Sequence, residues 1–401
     1  MDRYHQQGMS TLLITSMLLV VALIFSLASY KNLFYQIKRT QNEVLARQAY
    51  WAEEGGLECG FAAIQYAGSI SGASSTFNDC ESLLNLSKLE VDSNNIIISN
   101  DKIFVEKEIR KKIKLSSRLA GAIQARSNLK LIGDYDIFPD VEGKHSNGDY
   151  KCVSIRYSNR FIFDKTESGN VTTELVVKDP IKNGPYSGFD GKCAAGYHSH
   201  LKETTDSFDN NTKDNLKNDF VYDSQFDPFE SVFNNTRSEI DTIKKEFEEI
   251  DGSKTNCDEK IRDAFLINNK VWVSGHCDLM NGTLVGGLNK TARLLVIENG
   301  IFATYGAVEF YGMVYHLYTD SIIDMSSSWT GMHSGNTLSS ADKKKAVYFQ
   351  SGAFIPVGGL VLDAPQGLSV FHSSMSFKFK GDANPNDNSQ ISWVEGSWHD
   401  F

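Results

Sequence analysis

The chain has 401 residues, a formal net charge of −10 and a sequence pI near 5.4, with 41% hydrophobic residues, 22% charged residues and 7 prolines. It is too apolar for a disordered chain, and its mean hydropathy of −0.30 is too polar for a protein of many membrane spans. The acidic balance lacks the basic footprint with which sequence-independent nucleic-acid binders displace counterions, so no nucleic-acid partner is expected. The length suggests about two folded domains.

Hydrophobicity is concentrated at one end. Met9 to Ala28 reads MSTLLITSMLLVVALIFSLA, without a charge. At about 1.5 Å per residue this run matches a hydrocarbon core of about 30 Å. A secretory signal would show an apolar core of about 7–15 residues and then a small-x-small cleavage site. Here the helical pattern instead continues without proline to about Tyr66. Leu33, Ile37, Val44, Leu45, Trp51, Leu57, Phe61 and Ile64 recur at three- and four-residue steps, with Lys31, Lys38, Arg39, Glu43 and Arg47 between them. One helix over 9–66 is expected, membrane-spanning over 9–28, with Gly55-Gly56 as a place to bend.

A polar middle region follows, over 67–260. Ile96–Ile98 and Ile103–Val105 around Asn100-Asp101 predict a hairpin. Val153–Tyr157, Phe161–Phe163 and Leu175–Val177 read as strands. Thr204–Asp227 reads as a long surface loop, and Phe229–Ile250 as a charged amphipathic helix. From 261 to 401 the texture is β-rich. Short apolar runs alternate with Gly or Asn turns at Val271–Val273, Gly282–Val285, Arg293–Ile297, Gly306–Val308, Met313–Tyr315, Ala346–Phe349, Gly359–Leu362 and Leu368–Val370. The fold class is α+β: a long N-terminal helix joined to a mostly β head, its C-terminal domain a β-solenoid or a β-sandwich. Glycines immediately before several runs favour the solenoid.

Six cysteines, Cys59, Cys80, Cys152, Cys193, Cys257 and Cys277, all follow the apolar segment. An even number beyond a membrane-crossing element suits an oxidising compartment and disulfides, and sequential pairing gives three loops of moderate size. The absence of any CxxC argues against a zinc ribbon or a thioredoxin-like centre.

The N-terminus resembles a type IV prepilin leader: Arg3 and His5 in a short polar segment, then Gln6-Gln7-Gly8, then the apolar helix from Met9. The resemblance implies cleavage by a prepilin peptidase after Gly8, removing leader residues 1–8, and methylation of Met9. It also implies a filament-core role for the fifth residue after the cut. Most pilins carry Glu there, neutralising the amine of the subunit ahead; this chain has Leu13. A subunit with nothing ahead of it gains by lacking a carboxylate that is expensive in hydrocarbon. That departure shifts the resemblance to the PilX-type minor pilins, which initiate and cap filaments. Ala49-Tyr-Trp-Ala-Glu-Glu-Gly-Gly-Leu-Glu58 is similar to that family's AEAGLE-like box. Gly396-Ser-Trp-His-Asp-Phe401 is similar to its GSWRD-aromatic ending, with His399 where Arg is usual. The implied partners are other minor pilins, the major pilin and the prepilin peptidase. The implied location is the inner membrane, head in the periplasm, and then the pilus tip. Two alternatives share the anchor: a GspK-like pseudopilin of a type II secretion system, and a signal-anchored β-solenoid surface protein with a binding or hydrolytic head.

No enzyme signal, cofactor motif or metal site emerges. Cys193-x4-His198-x-His200 has the residue types of a metal cluster but reads better as a disulfide cysteine beside surface histidines. His276-Cys277-Asp278 reads as part of a disulfide rather than as a nucleophile. The acidic stretches Asp206–Asp214 and Asp382–Asn388 lack the ligand spacing of an EF-hand and read as solvated loops. Trp51 and Trp272 read as core. Within Ser326–Ser340, Trp329, Met332 and His333 are the candidate residues for an adhesive or partner-contacting tip.

Overall fold

The computed structural model describes residues 5–67, 70–92, 95–101, 108–116, 119–144, 148–164, 173–181, 191–203, 208–209, 216–280, 284, 291–385, 390–394, 396–397 and 399–400. The chain forms two compact units: residues 1–115 with 391–401, and residues 116–390. These bounds differ from the 66/67 and 260/261 divisions expected from composition. Position 260 lies inside one helix, and the Cys257–Cys277 disulfide spans that division. The second unit is inserted whole into the first.

The first unit begins with α1 (His5–Ala67), one helix of 63 residues that Gly55-Gly56 do not interrupt. Then follow α2 (Ile70–Leu84), β1 (Leu86–Val91), β2 (Ile96–Asp101) and β3 (Glu108–Ser116). β1, β2 and β3 are antiparallel, and the turn lies at Asp92–Asn95 with Asn95 at φ 59°. The expected turn at Asn100-Asp101 is instead the end of β2, and Ile103–Val105 lie outside the described residues. Asn adopts the left-handed region more readily than other side-chain-bearing residues, which places the turn at Asn95.

The sheet packs on the C-terminal third of α1 because Gly56 lets the two backbones approach. A Cβ there would overlap Ser99 Oγ and a Leu86 methyl, whereas at Gly55 the nearest atom is a Leu84 methyl at 3.5 Å. Leu57, Ile64, Phe77, Leu86, Leu89, Ile97, Ile109 and Ile113 fill the interface, and Cys59–Cys80 ties α1 to α2. After the inserted unit the chain returns with the strands Gln390–Trp393 and His399–Asp400, both beside β3. Trp393 stacks on Phe61 with ring centroids 4.6 Å apart, under Lys111 Nζ at 4.1 Å from its ring.

The second unit winds twice. Its first passage comprises β4 (Ile123–Ala125), β5 (Asn128–Ile132), β6 (Tyr135–Phe138), the hairpin β7 (Asp140–Lys144) and β8 (Tyr150–Val153), then β9 (Ile155–Tyr157), β10 (Phe161–Phe163), β11 (Thr173–Val177), β12 (His200–Glu203), β13 (Phe208–Asp209) and β14 (Phe220–Tyr222). A strap with α3 (Pro228–Phe233) and α4 (Ile240–Lys244) follows, in place of the one helix expected over Phe229–Ile250. Pro228 starts α3, and Asn234 at φ 55° ends it.

The second passage holds β15 (Glu248–Asp251), α5 (Cys257–Phe265), β16 (Lys270–Ser274), β17 (Cys277–Leu279), β18 (Arg293–Glu298), β19 (Phe302–Tyr305), β20 (Val308–Phe310), β21 (Gly312–Leu317), β22 (Ala346–Ser351), β23 (Phe354–Pro356), β24 (Leu360–Asp363), β25 (Leu368–His372) and β26 (Met375–Lys378). Of the expected run at Gly282–Val285, only Leu284 lies within the described residues, and it is not in a strand.

Successive circuits place their strands parallel on the same faces. The first face runs β14-β9-β4-β24-β21-β18-β16-β15, the second β13-β10-β5-β25-β22-β19-β17, with β13 the antiparallel member, and the third contains β6 between β11 and β26. The chain therefore begins in the middle of the stack. It winds to one end, crosses back through the strap and winds up to the seam, where β24, β25 and β26 meet β4, β5 and β6 in register.

Parallel neighbours bring like residues together. Val271, Leu295, Val314, Leu360, Ile123, Ile155 and Phe220 form one inward row along the first face, each paired with the next. Burying such side chains contributes roughly 1.5–3 kcal/mol each. The outward row, Trp272, Val296, Tyr315 and Val361, is apolar where the strap covers it. Beyond the strap the same row continues as Gln124 and Arg156. Burial on both faces explains why these strands read as unbroken apolar runs rather than alternating ones.

Candidate functional site

The N-terminal part of α1 is the most unusual surface of the molecule. Leu12, Leu13, Leu19, Phe25 and Leu27 are all at least 60% exposed, and the apolar series continues through Tyr30, Leu33, Phe34 and Ile37. This helix is long and apolar enough to cross a membrane, and none of its most apolar window is buried by the rest of the chain. Two of its polar side chains bond within the helix: Thr15 Oγ1 donates to Thr11 O at 2.9 Å and Ser16 Oγ to Leu13 O at 2.9 Å. Internal satisfaction of this kind is what a segment surrounded by hydrocarbon requires. Gly8 and Met9 lie within the helix, one turn ahead of Leu13.

From Ala49 onward one side of the same helix is covered. Ala49, Glu53, Leu57 and Ile64 turn inward, and Glu53 Oε1 accepts from the backbone N–H of Asp101 at 3.3 Å. The Ala49–Glu58 box thus supplies the carboxylate that meets the end of β2 and the glycine that admits the sheet. Trp51, expected in the core, is instead 69% exposed, whereas Trp272 is fully buried. Of the C-terminal box, Ser397 Oγ accepts from Lys112 N at 3.1 Å, and His399 and Asp400 pair with Arg110 and Ile109. Trp398 and Phe401 lie outside the described residues.

Two of the three tip candidates are interior residues. Trp329 and Met332, with Tyr318, Met325 and Leu338, form a roof over Ala303, Phe349 and Val370 on the outer side of the second face. Trp329 Nε1 donates to Ala346 O at 3.1 Å. His333 alone is exposed, its ring edge-on to Tyr305 with centroids 5.0 Å apart. The segment between β21 and β22 is held down by side chains of the stack. Buried Asp278 accepts from Ser334 Oγ and Ser334 N, Lys254 Nζ donates to Ser328 O at 2.7 Å, and Lys130 pairs with Asp342 at 3.0 Å. The Ser, Gly and Thr around Trp329 hid this; the spacing of Met325, Trp329 and Met332 was the available signal.

The three disulfides are Cys59–Cys80, Cys152–Cys193 and Cys257–Cys277, the sequential pairing. They remove two reactive-site candidates. Asp179, Cys193 and His198 converge, but the sulfur is in a disulfide, and Asp179 already accepts from Cys193 N and approaches His198 Nε2 at 3.0 Å. His276 Nδ1 accepts from Ile301 N at 2.9 Å, with Cys277 again in a disulfide. Of the two acidic stretches, 206–207, 210–214 and 386–388 lie outside the described residues; Asp382 accepts from Tyr311 Oη at 2.8 Å.

An ionic cluster around the buried Asp363, missed from sequence, ties the strap to the seam. Asp363 accepts from Arg126 at 3.0 Å, from Arg237 at 2.6 Å and from Tyr315 Oη at 2.6 Å. Asp227 accepts from Arg237 and caps α3 through Phe229 N at 2.9 Å. Burial alone would raise the Asp227 pKa, but the Phe229 N–H and Arg237 bring it below the usual carboxylate value. The Tyr315 hydroxyl is pushed well up by burial and by Asp363, so it serves as a donor.

No family model, no curated protein and no solved structure matches this chain. Among the described residues, the arrangement holds ion pairs and hydrogen bonds that bind segments together, and an uncovered apolar helix.

Proposed function

We propose that the chain is a PilX-type minor pilin that takes part in initiating type IV pilus assembly and sits at or near the filament tip. The observation that carries this reading is the single helix α1, whose N-terminal part has an apolar surface with no cover in its own chain. A surface of that size needs lipid or other subunits. The prepilin-like leader, the Leu at position 13, and the helix and ending boxes that both meet one antiparallel sheet support it.

In this reading prepilin peptidase cuts after Gly8 and Met9 is methylated. The helix rests in the inner membrane with its head in the periplasm and then packs against other minor pilins and the major pilin. Leu13 places the subunit first, because it brings no carboxylate needing a partner ahead. The second unit is a parallel β-solenoid carried outward as the head, where it contributes to adhesion. Mechanism is assembly, not catalysis.

Deleting the protein is expected to reduce surface pili without changing the amount of major pilin, counted by electron microscopy and immunoblot. Normal piliation would overturn the initiator role. Normal piliation with loss of exported enzymes would favour the pseudopilin of a secretion system instead.

A further inference from the structure

Just beyond its membrane-length run, α1 carries an unpaired basic face. Between Arg3 and Asn42 the chain has no acidic residue, while Lys31, Lys38 and Arg39 follow the apolar run that ends at Ala28. Among the described residues these three cations meet no carboxylate, whereas Arg47 further on is already paired with Glu43 at 3.1 Å.

Lys31, Phe34, Tyr35, Lys38 and Arg39 stand at i, i+3, i+4, i+7 and i+8, which places them on one side of the helix. All five are exposed, and Lys38 Nζ lies 4.8 Å from the centre of the Phe34 ring. Cations and aromatic rings interleaved at the end of an apolar span are the residue types that membrane–water interfaces favour.

Geometry brings the charges to the lipid surface. At about 1.5 Å per residue, Lys31 stands roughly 5 Å beyond Ala28, and Lys38 and Arg39 roughly 15 Å. Side chains on a helix lean toward its N-terminus, here the membrane end, so the outer two reach back toward the headgroups. Leu33 and Ile37, exposed on the other side, let the helix settle deeper still. Attraction extends over a screening length of about 8 Å, which covers the remaining gap.

Insertion alone does not explain these charges. Basic residues flanking a span favour the cytoplasmic side. This flank leads to three disulfides, which belong to an oxidising compartment instead.

The chemistry selects the ligand. An ammonium and a guanidinium donate to phosphate oxygens, most strongly where no second charge in the same headgroup cancels the first. Phosphatidylcholine carries its own cation; phosphatidylglycerol does not. An acidic protein surface would match the cations but gives no reason for exposed aromatic rings beside the end of an apolar span. We propose that this face of α1 binds the headgroups of anionic phospholipids in the leaflet from which the helix emerges. The inference rests on the membrane-spanning part of the pilin reading and goes beyond it by naming the lipid.

The test is electron spin resonance on the full chain in phosphatidylcholine vesicles, comparing spin-labelled phosphatidylglycerol with spin-labelled phosphatidylcholine. Lipid held at the protein gives a motionally restricted signal. Phosphatidylglycerol should be preferred about fivefold at about 50 mM salt, falling toward parity at about 1 M. Lys31→Gln, Lys38→Gln and Arg39→Gln together should abolish the preference, and Lys31→Arg with Lys38→Arg should keep it. Because all three side chains are exposed, neither variant should move Tm. Equal restricted signals from both lipids, which would leave the face to an acidic protein partner, overturn the proposal. So does a preference that the Gln variant retains. No restricted signal from either lipid is a distinct failure: it would overturn the membrane-spanning reading itself, and the proposal with it.

Discussion

The two units solve the same problem, covering a sheet, in opposite ways. The first has an antiparallel sheet covered by one third of a long helix, and the rest of that helix is uncovered. The second stacks parallel strands and covers their outer faces from its own chain, with the strap over one and the 318–345 segment over another. The inserted unit is a compact body with its own core. The host unit carries a helix long and apolar enough to cross a membrane, and none of its most apolar window is buried. The uncovered apolar surface therefore belongs to the first unit, and variants should separate the two.

The largest separation is expected from Trp329→Ala. As a buried roof residue with a hydrogen bond, its loss should cost the second unit about 3–5 kcal/mol and leave protection of α1, β1 and β2 unchanged in hydrogen exchange. His333→Ala, four residues on, should change stability by less than about 0.5 kcal/mol. Equal effects would mean that the segment is a loose loop after all.

Acid should weaken the second unit next. His316 is fully buried, its Nε2 on Gly300 O at 2.8 Å, and burial lowers its pKa to about 4. The unfolded chain takes that proton near pH 6.5, whereas the folded chain resists it until about pH 4. Stability is thus full above pH 6.5 and falls as pH drops toward 4, by on the order of 3 kcal/mol. His316→Gln should remove that slope from a series of urea titrations; an unchanged slope would assign the acid sensitivity to other groups.

The first unit should answer to adjacent glycines with opposite signs. Gly56→Ala drives a Cβ into Ser99 and Leu86 and should cost about 2 kcal/mol. Gly55→Ala meets only a Leu84 methyl at 3.5 Å and should stabilise α1 by about 0.5–1 kcal/mol. Thermal unfolding of both variants measures the difference. Equal losses would show that the helix and sheet are not in contact as described.

What the sequence disclosed and what it hid follow the range of the interactions. The long helix and about half of the strands of the second unit depend on periodicity, which is local, and these were legible; the cysteine pairing is one of fifteen that six thiols allow, and only the fold selects it. The insertion was not, because β3 finds its neighbours Gln390–Trp393 and His399–Asp400 only after the whole second unit. The seam between β24 and β4 was hidden likewise, since nothing local marks Leu360 as the neighbour of Ile123. Phe229–Ile250 carried a helical period, but Pro228 and the left-handed Asn234 cut it into pieces that lie across a sheet. At the candidate site, the uncovered helix was evident from hydropathy. The cluster around Asp363 was not, because Arg126, Tyr315 and Arg237 reach it from three segments far apart in the chain.

The central claim is that α1 is a processed assembly helix, and the mature N-terminus tests it most directly. Protein extracted from membranes of the native host, analysed by intact-mass and N-terminal peptide mass spectrometry, should begin at Met9 with its amine methylated. A chain that still begins at residue 1, or one cleaved near residue 30, would contradict the account.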